Sequence, residues 1–293
     1  TSGTITSWKW DLPGSSATNS TSSGQFPSVS YTNPGTYTVS LTITGPSGSV
    51  TETKPNLITV TDSGTDSGTP PPPSAGSSNV GLVAAYGFDE DNGTTVIDTS
   101  GEGNHGIIEG AARITSGRYG KALKFDGLND LVTVNHSNSL NLTDGMTLEA
   151  WVYPTELSGW CTVIMKETSD GLAYSLYAHD KSPRPAGYIN LKGKDINVRG
   201  NQGALPLNTW THLVLTYDAT FMRLYENGIE VGVKEVSGDI VTSSQLLMIG
   251  GNLVWGEYFT GLIDEVRIYN RALTATEVNN NLAAAVSVLG SVE

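Results

Sequence analysis

The stretch GLIDEVRIYNRALTATEV, residues Gly261 to Val278, carries a strand signal and a helix start in immediate succession. Leu262, Asp264, Val266 and Ile268 fall on one face by the two-residue period of a strand, which sets Asp264 in an apolar row. A carboxylate there is costly unless it is paired or bound to a metal. Thr274 followed by Glu277 is an N-cap with its capping box, so TATEVNNNL predicts a short helix.

Upstream, strand-like segments of the same kind recur between turn signals. They are GLVAAYGF (81–88), ALKFDG (122–127), DLVTV (130–134), MTLEAWVYP (146–154), CTVIMKE (161–167) and AYSLYAHD (173–180). GYINLKG (187–193), WTHLVLTYD (210–218), MRLYENGIEVGV (222–233) and QLLMIGG (245–251) continue the series. Asn227-Gly228 is the favoured dipeptide of a two-residue type I′ hairpin. Many short strands and one helix predict an antiparallel sandwich of two large sheets over residues 80–282.

Residues 61–79, TDSGTDSGTPPPPSAGSSN, hold no apolar side chain larger than Ala, and Pro70 to Pro73 favour extended polyproline II. This is a linker. Before it, Tyr37, Val39, Leu41 and Ile43 alternate with polar residues in GTYTVSLTITG, a half-buried strand. With Ile5, Trp8 and Trp10 at the start and Leu57, Ile58 and Val60 at the end, residues 1–60 read as a small antiparallel sandwich. Sixty residues are few for two packed sheets.

Composition agrees with an all-β chain and narrows its partners. Of 293 residues, 16 are basic and 29 acidic, a formal net charge of −13. Such a chain lacks the basic face that nucleic acid or an anionic membrane surface needs. Charged residues are only 15%, against about 25% in typical soluble domains, so polarity rests on Ser, Thr, Asn and Gly. Those residues favour turns and strands over helices. No run of about 18 apolar residues occurs, which argues against a membrane-spanning helix. The start, TSGTITSWKW, reads as mature or trimmed. Cys161 stands alone, so no disulfide forms within the chain. It is expected to be a small buried hydrophobe.

The segments SWKWD, PSVSYTNPGTYTVSLTITGPSGS and NLITV resemble the polycystic-kidney-disease (PKD) type of immunoglobulin-like domain. Trp8, Trp10, Asp11, Tyr31, Pro34, Gly35, Tyr37, Val39 and Leu41 match its pattern. LPGS replaces the family's acidic turn, and the family's first strands are absent. Either they were cut away or another chain supplies them. VAAYGFDE, DTSGEGNHG, KALKFDGLNDLVTV, MTLEAWVYP, WTHLVLTYD, LYENGIEV and GLIDEVRIYNRALTATEV together resemble the concanavalin A-like, laminin-G-like jelly rolls of secreted proteins. The resemblance implies the fold but not one function.

Two sites suggest themselves. The first is a structural calcium, which the resemblance also implies. Pairing of the first and last strands brings Asp89 near Asp264, and Asp98 and Asn104 add oxygens from the DTSGEGNHG loop. Hard oxygen ligands on flexible loops suit Ca²⁺. The competing reading has Asp98 capping a turn and Asp264 paired with Arg267 or with backbone amides. A second acidic stretch, FDGLND (Asp126, Asn129, Asp130), reads mainly as a tight hairpin turn with Asx bonds.

The second site is a glycan contact. Trp151 and Trp210 lie in or beside alternating strands and belong to the core. Trp160 and Trp255 sit in Gly-flanked loops and are expected to be exposed, with Tyr258 close by. Sugars stack their C–H faces on such rings. Tyr177, His179, Arg184 and Tyr188 bracket the KSPRP loop, with Asn190 and Lys192 following. They predict a rim of aromatics, amides and cations.

No H-E-x-x-H, G-x-S-x-G or E-x-D-x-x-E pattern occurs, and Glu149 stands alone in an apolar row. The reading that follows is a non-catalytic carbohydrate-binding module of a multidomain secreted or surface protein. Alternatives are an adhesive or filament subunit assembling by strand exchange, and, last, a polysaccharide-degrading enzyme. The tail 283–293, with Val286, Val288 and Val292 alternating, is either a donor strand or a trimmed linker.

Overall fold

The architecture comes from a computed structural model, which describes residues 5–13, 35–46, 48–60 and 79–286. Tyr31, Pro34, the linker at 61–78, Val288 and Val292 lie outside the described residues. The chain divides into two compact units, Thr1–Pro72 and Pro73–Glu293. Among the described residues no helix is long and apolar enough to cross a membrane.

In the first unit, β1 (Ser7–Asp11), β2 (Gly35–Gly45) and β3 (Gly48–Val60) form one antiparallel sheet in that order. Trp8 pairs with Ile43 and Trp10 with Leu41, so both indoles share the apolar face of β2, where Val39 is buried. The opposite face carries a ladder of cross-strand hydroxyl pairs: Ser40–Thr53, Thr42–Thr51 and Thr44–Ser49, at 2.7–2.9 Å. The described residues of this unit form this one sheet, and the expectation of a two-sheet sandwich concerns segments outside the described residues.

The second unit opens with β4 (Leu82–Tyr86), β5 (Thr95–Val96), β6 (Gly106–Glu109), β7 (Ala112–Ile114), β8 (Ala122–Asp126) and β9 (Leu131–Val134). Next come β10 (Met146–Glu156), β11 (Cys161–Glu167), β12 (Leu172–His179), β13 (Ala186–Leu191) and β14 (Lys194–Arg199). It closes with β15 (Thr211–Tyr217), β16 (Phe221–Glu226), β17 (Ile229–Glu235), β18 (Leu247–Ile249), β19 (Thr260–Tyr269) and α1 (Ala275–Leu282). One sheet runs β17-β16-β15-β10-β19-β8-β7, with β4 also on β19; the other runs β14-β13-β12-β11-β18-β9-β6-β5. The first strand of this unit therefore pairs with its last, as expected, with Tyr86 opposite Val266.

Leu148, Ala150, Val152, Leu213 and Leu215 of the first sheet meet Tyr174, Leu176, Ala178 and Ile189 of the second in a continuous core. The sheets touch at Gly187, where a Cβ would come within 2.3 Å of the Leu215 side chain. Asn227 (φ 49°) and Gly228 (φ 78°) both take the left-handed conformation that a type I′ turn demands. Thr274 caps α1, and its capping box with Glu277 is complete.

Three details differ from the sequence reading. Glu265 (φ 55°) sits in a bulge between the Glu149↔Arg267 and Trp151↔Asp264 pairs, so alternation breaks there. The inward row is Ile263, Val266 and Ile268, and Asp264 faces out beside Trp151. FDGLND is not a hairpin. It crosses from β8 in one sheet to β9 in the other, braced by Asp130 accepting from Asp126 N–H (2.9 Å) and Asp126 accepting from Leu128 N–H (2.8 Å). Trp151 is buried, yet on the outer face beneath Tyr119, with the Arg118 guanidinium 4.2 Å from its ring centre; Trp210 is half-buried against Tyr153.

Candidate functional site

The outer face of the second sheet carries a separate apolar cluster. On β12 and β13 the residues opposite the core ones, Tyr177, Tyr188 and Ala186, gather with Met165 and Leu172, and Trp160 and Val254 pack on them. Trp160, Tyr177 and Tyr188 contact one another with ring centres 5.1–5.7 Å apart and planes tilted by 56–82°. Such edge-to-face packing fixes the rings. Beside it lies a cavity of about 340 Å³ lined by Trp160, Leu172, Tyr177, Tyr188, Asp195, Trp255 and Glu257. That is the low end of the ~300–1,000 Å³ typical of small-ligand sites.

Trp255 is 45% exposed, a large apolar surface left in water. Its loop is nonetheless held by buried polar groups. Glu167 accepts from Leu253 N–H (2.7 Å) and Val254 N–H (3.0 Å). Asn252 accepts from Trp255 N–H (2.9 Å) while its amide donates to Thr162 Oγ1 (2.8 Å) and Glu257 Oε2 (2.9 Å). The Tyr177 hydroxyl donates to the same Glu257 oxygen (2.9 Å). Burial, then the adjacent Glu257 carboxylate, pushes the Tyr177 hydroxyl up, so it stays a donor. Burial also raises Glu257, against those two hydrogen bonds.

The structure brings Trp160, Trp255, Tyr177 and Tyr188 together at one cleft and turns the other expected rim residues away, but of the two indoles expected to be exposed only Trp255 is, because Trp160 is half-buried against Tyr177 and Tyr188. His179 Nδ1 bonds the Gly159 carbonyl (2.6 Å), pinning the loop that carries Trp160 from beneath. Arg184 donates to the carbonyls of Ser182 (3.0 Å) and Gly200 (3.2 Å), because the KSPRP turn needs its own carbonyls satisfied. Tyr258 lies over Gly251, where a Cβ would come within 2.5 Å of its ring, outside the cleft lining. Asn190 bonds Asp195 (2.8 Å), and Lys192 occupies a turn at φ 54°. Sequence reasoning missed Leu172, Asp195 and Glu257. The Trp255-Glu257 spacing of two was the available signal, since it puts both on one side of an extended segment.

The four residues read as calcium ligands separate into two pairs. Asp98 accepts from Ala85 N–H, Ser100 N–H, Ser100 Oγ–H and Asn104 N–H at 2.8–2.9 Å, which fills its acceptor positions. Asn104 donates to Val83 O and Ser139 Oγ. These two organise a loop, the turn-capping alternative. Asp89 and Asp264 instead clasp the 117–121 turn: Asp264 Oδ2 accepts from Arg118 and Tyr119 N–H (2.8 and 3.1 Å), and Asp89 Oδ1 from Lys121 N–H (2.7 Å).

Glu265 joins this pair, and its Oε1 is buried without a partner. Burial pushes Asp264 up to about 7 and Glu265 up to about 8; Asp89 adds to both, and Arg267 offsets part of the Glu265 shift. The orphaned oxygen and neighbouring carboxylates suit a hard cation. No group of three His, Cys, Asp or Glu side chains converges among the described residues, so any cation there would also need carbonyl oxygens or water.

Glu149 is not alone in an apolar row. It sits on the outer face and accepts from Arg267 (2.9 Å) and Asn281 (2.8 Å), with His212 Nε2 at 3.0 Å. Burial pushes its carboxyl up, but Arg267 and His212 together hold it below the usual range. This network ties α1 to the first sheet. Cys161 is buried, and burial raises its thiol to about 11.

A family model described as the concanavalin A-like lectin/glucanases superfamily matches residues 126–279, and one for the PKD domain matches residues 1–60. Human pappalysin-1 is 23% identical over 181 residues, 55% of this chain and 11% of that protein. The chain thus spans about a tenth of that relative. Domain 4 of AbnA, a GH43 extracellular arabinanase from Geobacillus stearothermophilus, solved in complex with arabinotriose, superposes with a TM-score of 0.58. It is 24% identical and covers 69% of this chain and 98% of its own. The binding domain of Paraclostridial Mosquitocidal Protein 1 gives 0.56 at 19% identity, covering 69% of this chain and 52% of its own. The binding domain of botulinum neurotoxin DC in complex with SialylT gives 0.54 at 14% identity, covering 70% and 51%. At these identities the likenesses establish the fold.

Proposed function

Since the chain belongs to the concanavalin A-like lectin/glucanases superfamily and carries a PKD domain at residues 1–60, we propose that it is a non-catalytic carbohydrate-binding module of an extracellular protein. The observation that carries this reading is the exposed Trp255, held rigidly at the mouth of a cleft walled by Trp160, Tyr177 and Tyr188. Exposed aromatic surface kept in one place suits the C–H face of a sugar ring, and preorganisation lowers the entropic cost of binding. The arabinotriose complex of the AbnA domain, on the same fold, supports the ligand class. Affinity gel electrophoresis against a panel of polysaccharides tests it. Retention by at least one polymer, lost in the Trp160→Ala/Trp255→Ala double variant, is the expected result. Retention unchanged by that pair removes this cleft.

A structural calcium is proposed at the Asp89 and Asp264 pair, completed by backbone oxygens or water, with Glu265 beside it as a neighbouring charge. The buried, unpartnered Glu265 Oε1 is its support. In place of a disulfide, such an ion would tie β19 to the loop after β4 and to the 117–121 turn.

Strand exchange is a second reading, favoured by one observation. Among the described residues β1 and β3 each pair on one side only. Light scattering across a concentration series tests it, and a constant monomer mass removes it.

A further inference from the structure

The cleft that the glycan reading rests on has an unbalanced charge. The sequence suggested a rim with His179, Arg184 and Lys192, but none of these lines the cavity. Two carboxylates, Glu257 and Asp195, do. Arg199, whose guanidinium lies 5.8 Å from the Tyr188 ring centre, is committed to Asp180 (2.5 Å), Asn197 Oδ1 (2.7 Å) and the Tyr188 hydroxyl (2.7 Å).

The two carboxylates are placed differently. Glu257 Oε2 is fixed by Tyr177 and Asn252, whereas Oε1 has no hydrogen bond among the described residues. Fixing one oxygen aims the other, and a fixed carboxylate oxygen is a strong acceptor for a sugar hydroxyl. Asp195 is exposed at the edge and oriented by Asn190. The aromatic floor offers no hydrogen bonds in return at Tyr188, whose hydroxyl is used below by Asp180 (2.8 Å). Apart from the indole N–H donors of Trp160 and Trp255, the wall therefore accepts hydrogen bonds, and its two carboxylates repel negative charge. The chain's net charge of −13 acts in the same sense at longer range.

We propose that this cleft selects uncharged glycans, with Trp255 and Trp160 supplying the stacking surface and Glu257 accepting from ring hydroxyls, and that it rejects uronate- and sialate-bearing chains. This rests on the glycan-binding reading and adds the sign of charge to it. A ligand carboxylate entering would meet two like charges in a partly desolvated cleft, one of the ways a site discriminates against a competing ligand. The cavity's modest volume adds that a short segment of the chain is gripped, not a long one. The sialylated ligand of the neurotoxin neighbour belongs to that protein, and it makes a useful counter-probe.

The test is affinity gel electrophoresis with neutral arabinan, galactan and xylan against polygalacturonate, alginate and chitosan, and calorimetry with sialyllactose. The Trp255→Ala variant marks retention through the cleft. The expected result is Trp255-dependent retention by a neutral polymer and none by the anionic ones. Glu257→Gln should weaken neutral binding about tenfold, as loss of one charge-assisted hydrogen bond does, with little change in melting temperature. Asp195→Asn combined with Glu257→Gln should narrow the gap between neutral and anionic polymers. Trp255-dependent binding of polygalacturonate, alginate or sialyllactose at the strength of the neutral chains overturns the inference, as does retention by chitosan alone. No Trp255-dependent retention on any polymer overturns the glycan reading itself, and the inference with it.

Discussion

The Asn252 amide donates to Glu257 Oε2 at 2.9 Å, closing the loop that presents Trp255. Asn252 is fully buried, and its side chain also reaches Trp255 N–H and Thr162 Oγ1. One side chain thus fixes the backbone of the exposed indole and aims the carboxylate beside it.

Replacing Asn252 by Ala should therefore weaken ligand binding about tenfold or more while leaving Trp255 in the sequence. It should also cost about 1–3 kcal/mol of stability, since buried partners lose their bonds. Calorimetric titration alongside denaturant unfolding checks both. Undiminished affinity would mean the loop needs no such bracing.

Trp255→Ala should separate function from stability in the opposite way. The side chain is 45% exposed and lies outside the core clusters, so unfolding free energy should move by only about 1 kcal/mol while retention on the polymer disappears. Equilibrium unfolding and affinity electrophoresis on one preparation settle it.

Glu149→Ala should destabilise strongly, by about 3–5 kcal/mol, because the buried Arg267 charge loses one of its two carboxylate partners. Chemical denaturation reads this. A loss below about 1 kcal/mol would mean Arg267 is fully compensated by Glu265, 3.2 Å away.

Calcium should raise the melting temperature, and chelator should lower it. At about 100-fold excess over its dissociation constant, linkage predicts ~2.7 kcal/mol, or about 5–10 °C for a unit of this size. Glu265→Gln should shrink that shift, whereas Asp98→Asn should leave it in place. A chelator-insensitive melt would remove the calcium site.

Acid should expose the role of the helix cap. The Arg271 hydrogen bond holds Glu277 down to about 2, helped by Thr274, against an ordinary value of 4.5. A depressed carboxylate contributes its full stabilisation above pH 4.5 and loses it as pH falls from there to about 2. Glu277→Gln should remove that slope and cost about 1 kcal/mol at neutral pH, the size of a lost cap. Melting curves between pH 2 and 6 compare the two chains; superimposable acid limbs would sink the assignment.

Local rules were legible in the chain. Thr274 and Glu277 are three residues apart, and a capping box needs nothing else. Asn227-Gly228 dictates a turn from two residues that both tolerate positive φ. Alternation from Tyr37 to Ile43 gave a strand, and strand spacing with punctuation gave the sandwich. Trp160 and Trp255 were singled out by their Gly-flanked loops and Tyr177 and Tyr188 by their place around the KSPRP loop, and all four line one cleft.

What escaped the sequence depends on partners distant in it. Alternation through GLIDEVRIY assigned Asp264 to the apolar row, but a bulge at Glu265 reverses the faces, and no neighbouring residue type announces it. The same limit applies to charge in the cleft. Arg184 and His179 looked like rim cations from their place beside the KSPRP loop, and each is instead claimed by a carbonyl within reach. Glu257 looked like an ordinary loop acid, and it becomes a directed acceptor only through Tyr177, 80 residues away in sequence. The sequence by itself determined the elements, the fold and the aromatic inventory, because periodicity and turn chemistry act over a few residues. Tertiary structure alone decided which polar groups remain free to meet a ligand, because hydrogen-bond satisfaction is settled between strands that only folding brings together.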